Sequence, residues 1–141
     1  HMPTKKGSAK WMGGLKDGKG RITLESGAMS DQPYGFNTRF EDGAGTNPEE
    51  LIGGAHAACF SMALSNMLGQ EGITADSIET TSAVTIDMQG DGPKITKAHL
   101  TTVISADADE AKILEIAGKA KEGCPVSKVL NCDITMDAKV A

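Results

Sequence analysis

The chain has 141 residues, a net charge of −5 and few aromatic residues (4%), with no Lys/Arg cluster interleaved among them. That is the length of one domain with a sizeable core, and not the composition of a nucleic-acid binder. Three cysteines, without the dense spacing of a secreted disulfide scaffold, point to a reducing, cytoplasmic setting, and His56, Ser61, Ser65 and Asn66 interrupt the longest apolar stretch (residues 51–68), which argues against a membrane span.

His1-Met2 reads as a remnant of tag removal, and no signal peptide is read ahead of the fold. Residues 8–15 and 21–25 read as short strands on either side of Gly18-Lys-Gly, the second alternating as a half-buried strand should. Ser26-Gly27 and Asp31-Gln-Pro33 mark loops. Residues 36–40 read as a short extended piece carrying Arg39, and 42–45 as a flexible connection. The strongest local signal follows. Asn47 is a good N-cap, Pro48 suits the first helical position, and Glu50 is placed to complete a capping box. The helix so opened is expected to run from Pro48 to about Leu68 and stop near Gly69. Glycines inside it cost roughly 1 kcal/mol each relative to alanine, so Gly53-Gly54 marks either close packing or a kink.

Residues 78–88 and 94–105 read as two long strands around Gly90-Asp-Gly-Pro93, rich in β-branched side chains. Residues 107–121 form an amphipathic pattern with Ile113, Leu114 and Ala117 facing inward, ended by Gly123. Pro125 starts a short helix through Leu130, and residues 134–140 close as a strand. Strands do not alternate regularly with helices and nothing repeats. The expected class is therefore α+β, as a single domain over residues 1–141.

Cys59 lies well inside the long helix and Cys124 at the start of the short one. A thiol attacks as its thiolate, and with a pKa of about 8.5 an ordinary cysteine is only slightly ionised at neutral pH. Cys124 occupies an N-cap-like position, where unpaired amides and the helix dipole favour an anion. Cys59 cannot use its own helix and needs an external cation. Arg39, in the apolar stretch Tyr34-Gly-Phe-Asn-Thr-Arg-Phe, is the candidate. Such an arginine needs a carboxylate to hold its guanidinium, and Glu49 and Glu50 are both near in sequence. At roughly 100° per residue, Glu49 lies about 80° round the helix from Cys59 and Glu50 about 180°. Glu49 would still be roughly 15 Å away along a straight helix. It therefore acts only through Arg39, through a break at Gly53-Gly54, or across to a partner chain.

The segment Gly45-Thr-Asn-Pro-Glu-Glu-Leu-Ile-Gly-Gly-Ala-His-Ala-Ala-Cys-Phe, with Gly123-Cys-Pro-Val-Ser downstream, closely resembles the OsmC/Ohr family of osmotically inducible and organic-hydroperoxide-resistance proteins. Gln32-Pro-Tyr-Gly-Phe-Asn-Thr-Arg-Phe and Lys5-Lys-Gly-Ser-Ala-Lys-Trp are similar to its OsmC branch. The resemblance covers nearly the whole chain. It implies an OsmC-like fold of antiparallel sheets on long central helices, in a strand-swapped, intertwined homodimer with active sites at the subunit interface. It also implies a cysteine-dependent peroxidase of the stress response, with Cys59 peroxidatic, Cys124 resolving, Arg39 stabilising the thiolate and Glu49 its partner, Glu50 remaining open. Cys59 would become a sulfenic acid and condense with Cys124 to a disulfide. A dithiol, a thioredoxin-like protein or a lipoylated protein would then reduce it, with no metal, flavin or haem. Phe36, Phe40, Phe60, Met29 and Met62 are expected to form an apolar mouth favouring organic hydroperoxides over hydrogen peroxide.

Blander readings stand beside these. A lone cysteine in an apolar helix is ordinarily core, so the second function class is a non-catalytic ligand-binding or redox-sensing module with structural thiols. Cys132 reads as a strand residue, and His56 as a packed or exposed helix residue before a base. A zinc site from His56, Cys59, Cys124 and Cys132 lacks the close ligand pairs such sites use.

Overall fold

The computed structural model describes residues 2–141; His1, and with it part of the tag reading, lies outside them. The described residues fall into two compact units, residues 2–51 and 52–141.

The first unit holds an antiparallel sheet in the order β1 (Gly7–Met12), β2 (Lys19–Leu24), β3 (Gln32–Tyr34), followed by the short helix α1 (Phe36–Phe40). All six residues of β1 are exposed, whereas β2 buries Gly20 and Ile22. Two elements differ from the sequence expectation. β3 forms where a loop was expected, with Pro33 opposite Arg21 at the sheet edge, where a proline's missing N–H is tolerated. α1 replaces the extended piece. Thr38 Oγ1 accepts the Gly35 N–H at 2.9 Å and donates to the Gly35 carbonyl at 3.0 Å, closing one helical turn. Phe36, Thr38 and Phe40 do alternate, but the turn instead brings Phe36 and Phe40 together, ring centroids 5.0 Å apart.

The long helix α2 (Pro48–Gln70) begins in the first unit. Asn47 Oδ1 accepts the Glu50 N–H at 2.8 Å, the expected N-cap. The second unit continues with β4 (Ala75–Asp87), β5 (Lys94–Ala106), α3 (Glu110–Gly123), α4 (Pro125–Val129) and β6 (Asp133–Val140). β4 and β5 form an antiparallel hairpin, but β6 pairs parallel to β5, so this sheet is mixed rather than antiparallel as expected. The physical reason is the crossover through α3 and α4, which returns the chain to the end of the sheet where β5 began.

The core of this unit joins three faces. α2 contributes Phe60, Leu64 and Leu68 at four-residue spacing, β5 contributes Ala98, Leu100 and Ile104, and α3 contributes Ile113, Ile116, Ala117 and Ala120. Ile116 takes the place expected for Leu114, because the helix starts at Glu110 after the cap Asp109, and i, i+3, i+4, i+7 from Ile113 leaves residue 114 on the flank. By length and composition α2 is apolar enough to cross a bilayer. Phe60, Leu64 and Leu68 pack here against β5 and α3, while only 28% of its apolar stretch is buried.

α2 runs unbroken through Gly53-Gly54, so the glycine pair marks no kink. A Cβ at Gly53 would stand 2.7 Å from the Ser82 carbonyl oxygen of β4, while one at Gly54 would meet nothing within 4 Å. Gly53→Ala is therefore expected to destabilise by about 1–2 kcal/mol net, overpacking outweighing the gain in helix propensity. Chemical denaturation would check this, and a stabilised variant would mean that α2 and β4 are not in contact at Gly53.

Candidate functional site

In the first unit, Arg39 Nε and Nη2 donate to Glu49 Oε1 and Oε2 at 2.8 and 3.0 Å, a bidentate pair. Glu49 is buried and the Arg39 side chain is 35% exposed. Glu50 does not share the arginine. Its backbone is engaged by Asn47 Oδ1, and its carboxylate lies 3.5 Å from the Asn47 amide. That amide also donates to the Thr38 carbonyl at 2.9 Å, tying α1 to the start of α2. Beside Arg39 opens a cavity of about 300 Å³ lined by Trp11, Leu15, Tyr34, Phe36 and Phe40. The Arg39 guanidinium lies 5.3 Å from the Phe40 ring centroid.

Trp11, Leu15 and Tyr34 were not singled out from the sequence. The signal that could have found the two aromatics is Gly20, the residue opposite both Trp11 and Tyr34 across the sheet. A Cβ there would collide with the Tyr34 ring and stand 2.7 Å from Trp11, so the glycine lets the two rings close over β2, centroids 5.5 Å apart.

In the second unit the Cys59 and Cys124 thiols are free and close enough for each to shift the other's ionisation. Cys59, beside the core residue Phe60, is half-buried; Cys124 is fully buried. Cys124 ends α3, its N–H bonded to the Ala120 carbonyl at 3.0 Å, and at the same time caps α4, its Sγ accepting the Ser127 N–H at 3.4 Å. Burial works to raise the Cys124 pKa. The Ser127 N–H, the Cys59 thiol, the Ser127 hydroxyl and the Val126 N–H outweigh it and hold the thiol below its ordinary value. For Cys59, burial pushes the thiol up and the neighbouring Cys124 sulfur adds to this, against one Val126 N–H. Within this unit an anion is therefore favoured on Cys124 over Cys59, and none of the groups acting on Cys59 is a cation.

His56 lies one turn before Phe60 on the core stripe of α2 and is fully buried. Its Nδ1 meets Ser82 Oγ of β4 at 2.8 Å and its Nε2 meets Ser127 Oγ of α4 at 2.8 Å. Burial lowers its pKa, which keeps the ring neutral at neutral pH. Cys132 falls one residue before β6 rather than in it, its thiol pushed up first by burial and then by Asp133. Of the expected mouth residues, Phe36 and Phe40 border Arg39, Met29 is half-buried, and Met62 is exposed on α2. Phe60 is fully buried in the core, and as placed it offers no surface to a substrate.

Comparison with known proteins adds three findings. Residues 41–139 match the family model for OsmC-like proteins. Over 134 residues, 94% of each chain, the sequence is 55% identical to the protein named Peroxiredoxin OsmC of Escherichia coli strain K12. The crystal structure of the organic hydroperoxide resistance protein OhrB of Bacillus subtilis superposes with a TM-score of 0.71 at 30% identity, covering 98% of both chains.

Proposed function

Because the chain belongs to the OsmC family, within its OsmC branch, we propose that it is a cysteine-dependent peroxidase that reduces organic hydroperoxides, and hydrogen peroxide more weakly. The observation that carries this reading is the Cys59–Cys124 pair, two free thiols close enough for each to shift the other's ionisation, with Cys124 capped by the Ser127 N–H of α4. In the proposed cycle the Cys59 thiolate attacks the distal oxygen of the hydroperoxide. The S–O bond forms, the O–O bond breaks, and the alkoxide takes a proton to leave as alcohol. The Cys124 thiolate then attacks the Cys59 sulfenic sulfur, forming the disulfide as hydroxide leaves and is protonated to water. A dithiol, thioredoxin-like or lipoylated protein restores both thiols by exchange and carries away the oxidising equivalents. A reducing, cytoplasmic setting belongs to the same proposal.

Arg39 supplies the cation that Cys59 lacks, and Glu49 fixes the guanidinium by its two-point bond. With α2 unbroken, the arginine comes to the thiol by its own reach or from a partner chain. Phe36 and Phe40 beside Arg39 support a preference for an apolar peroxide tail, with Met62 a further candidate contact. Two exposed surfaces support the intertwined homodimer: strand β1, and the α2 stripe of Gly54, Ala55, Ala58, Met62, Ser65 and Gly69. On this reading the two units are parts of one domain completed by the partner chain. Ala55→Arg is then expected to convert a dimer into monomer in light scattering, and a variant that stays dimeric would remove α2 from the interface.

The enzymatic reading is tested by giving the reduced protein one equivalent of cumene hydroperoxide, counting thiols and mapping disulfides. Two thiols per chain should be lost as a Cys59–Cys124 link. Cys59 remaining reduced while peroxide persists would leave the non-catalytic module as the better account.

A further inference from the structure

Arg39 is held at its tip by Glu49, and a second residue at the same helix start holds it at its root. Asn47 Nδ2 donates to the carbonyl of Thr38, the residue before Arg39, at 2.9 Å. Its Oδ1 meanwhile accepts the Glu50 N–H at 2.8 Å. These partners fix the orientation of the amide. Turned over, it would set its own hydrogens against the Glu50 N–H and its oxygen against the Thr38 carbonyl, a repulsion at both ends. One side chain thus caps α2 and grips α1. A helix leaves its last carbonyls without partners, and α1 has only five residues. Two of its carbonyls find donors beyond the helix: Asn37 accepts the Gly43 N–H at 2.9 Å, and Thr38 accepts Asn47 Nδ2. Thr38 is buried, and its hydroxyl is already engaged with both polar groups of Gly35. Without Asn47 the turn would have to shift to bring that carbonyl to water, carrying Arg39 with it.

We infer that Asn47 is a positioning residue for Arg39: by bonding the Thr38 carbonyl it fixes the backbone from which the arginine projects, while Glu49 fixes the guanidinium. The two holding residues stand two apart at the start of α2, so the arginine is set at root and tip by one rigid turn. The reaction that this placement serves rests on the peroxidase reading; the grip on α1 does not. The two duties of Asn47 can be separated by substitution. A cap needs an acceptor oxygen, which Ser or Asp supplies about as well as Asn. The Thr38 bond needs a donor at the reach of the amide. An ionised Asp has no hydrogen to give, and the shorter Ser hydroxyl stays at the cap.

The test compares amide hydrogen exchange in the full chain with that in Asn47→Ser. The Arg39 N–H, bonded to the Gly35 carbonyl at 3.2 Å, and the Gly43 N–H report on α1, while the Glu50 N–H reports on the cap. Losing one neutral hydrogen bond should speed exchange at Arg39 and Gly43 about three- to tenfold and leave Glu50 as it was. Asn47→Asp stands in if the serine variant fails to fold. The second readout is the rate of Cys59 oxidation by cumene hydroperoxide. It should fall by a similar factor in Asn47→Ser, and fall no further when Asn47→Ser is added to Arg39→Leu. A merely structural residue would lower the rate alike in both backgrounds. Unmoved exchange at Arg39 and Gly43 overturns the inference, as does a rate that holds in Asn47→Ser or drops equally beside Arg39→Leu. Faster exchange in a chain that consumes no peroxide supports the grip on α1 and rejects the peroxidase reading alone.

Discussion

Cys59→Ser is expected to lower peroxide consumption by a factor on the order of 10⁴ or more, the scale on which loss of a catalytic nucleophile acts. Cys124→Ser should behave differently: one equivalent of hydroperoxide consumed per chain, a sulfenic acid trapped by dimedone on Cys59, and no intramolecular disulfide. The two variants together decide which thiol attacks, and the structure makes this a genuine question. The amides of α4 favour the anion on Cys124, and burial with its neighbour disfavours it on Cys59. Ionisation within the second unit alone would give the attack to Cys124. Access argues the other way, since Cys124 has no exposed surface and Cys59 keeps some. A peroxide oxygen must touch the sulfur it oxidises, so access outranks ionisation provided a cation reaches Cys59. A Cys59→Ser variant that still burns one equivalent and oxidises Cys124 would exchange the two roles.

What was legible in the sequence follows the range of the interactions involved. The start of α2 was readable because Asn47, Pro48 and Glu50 act within one turn. The choice of Glu49 over Glu50 came near to resolution for the same reason, and the structure sharpens it: Glu50 is committed to Asn47, leaving Glu49 to take Arg39 with both oxygens. α1 and β3 were misread because what holds them is small and specific, a threonine hydroxyl on Gly35 and an edge pairing that tolerates Pro33. The parallel register of β6 is set by the crossover, which no local pattern encodes. His56 shows the limit most clearly. In sequence it is one polar residue on an apolar stripe, and the partners that give it meaning lie 26 and 71 residues away.

Arg39→Leu is expected to cost about 10²–10³-fold in the rate of Cys59 oxidation, the range for removing one preorganised electrostatic contact to a reacting charge. The sign of the pH dependence separates this from a folding effect. Without the cation the Cys59 anion loses stabilisation, so its apparent pKa rises, and the rate should be depressed most at low pH and recover as pH increases. Arg39→Leu also strands the carboxylate of buried Glu49. A fully buried broken pair costs about 3–5 kcal/mol, but with the arginine a third exposed the loss here should be nearer about 1–2 kcal/mol. Glu49→Gln tests the orienting role separately. It preserves shape and one hydrogen bond while removing the charge and the second bond that pin the guanidinium, so a loss of about tenfold with little change in the pH midpoint is expected. Arg39→Lys should fall between the two, because an ammonium keeps the charge and loses the two-point fit to the carboxylate. The measurement is the second-order rate of cumene hydroperoxide reduction across pH for all three variants. A uniform loss at every pH in Arg39→Leu would make the arginine a structural or substrate-binding group, and the Cys59 anion would then need its stabilisation from the α4 amides alone.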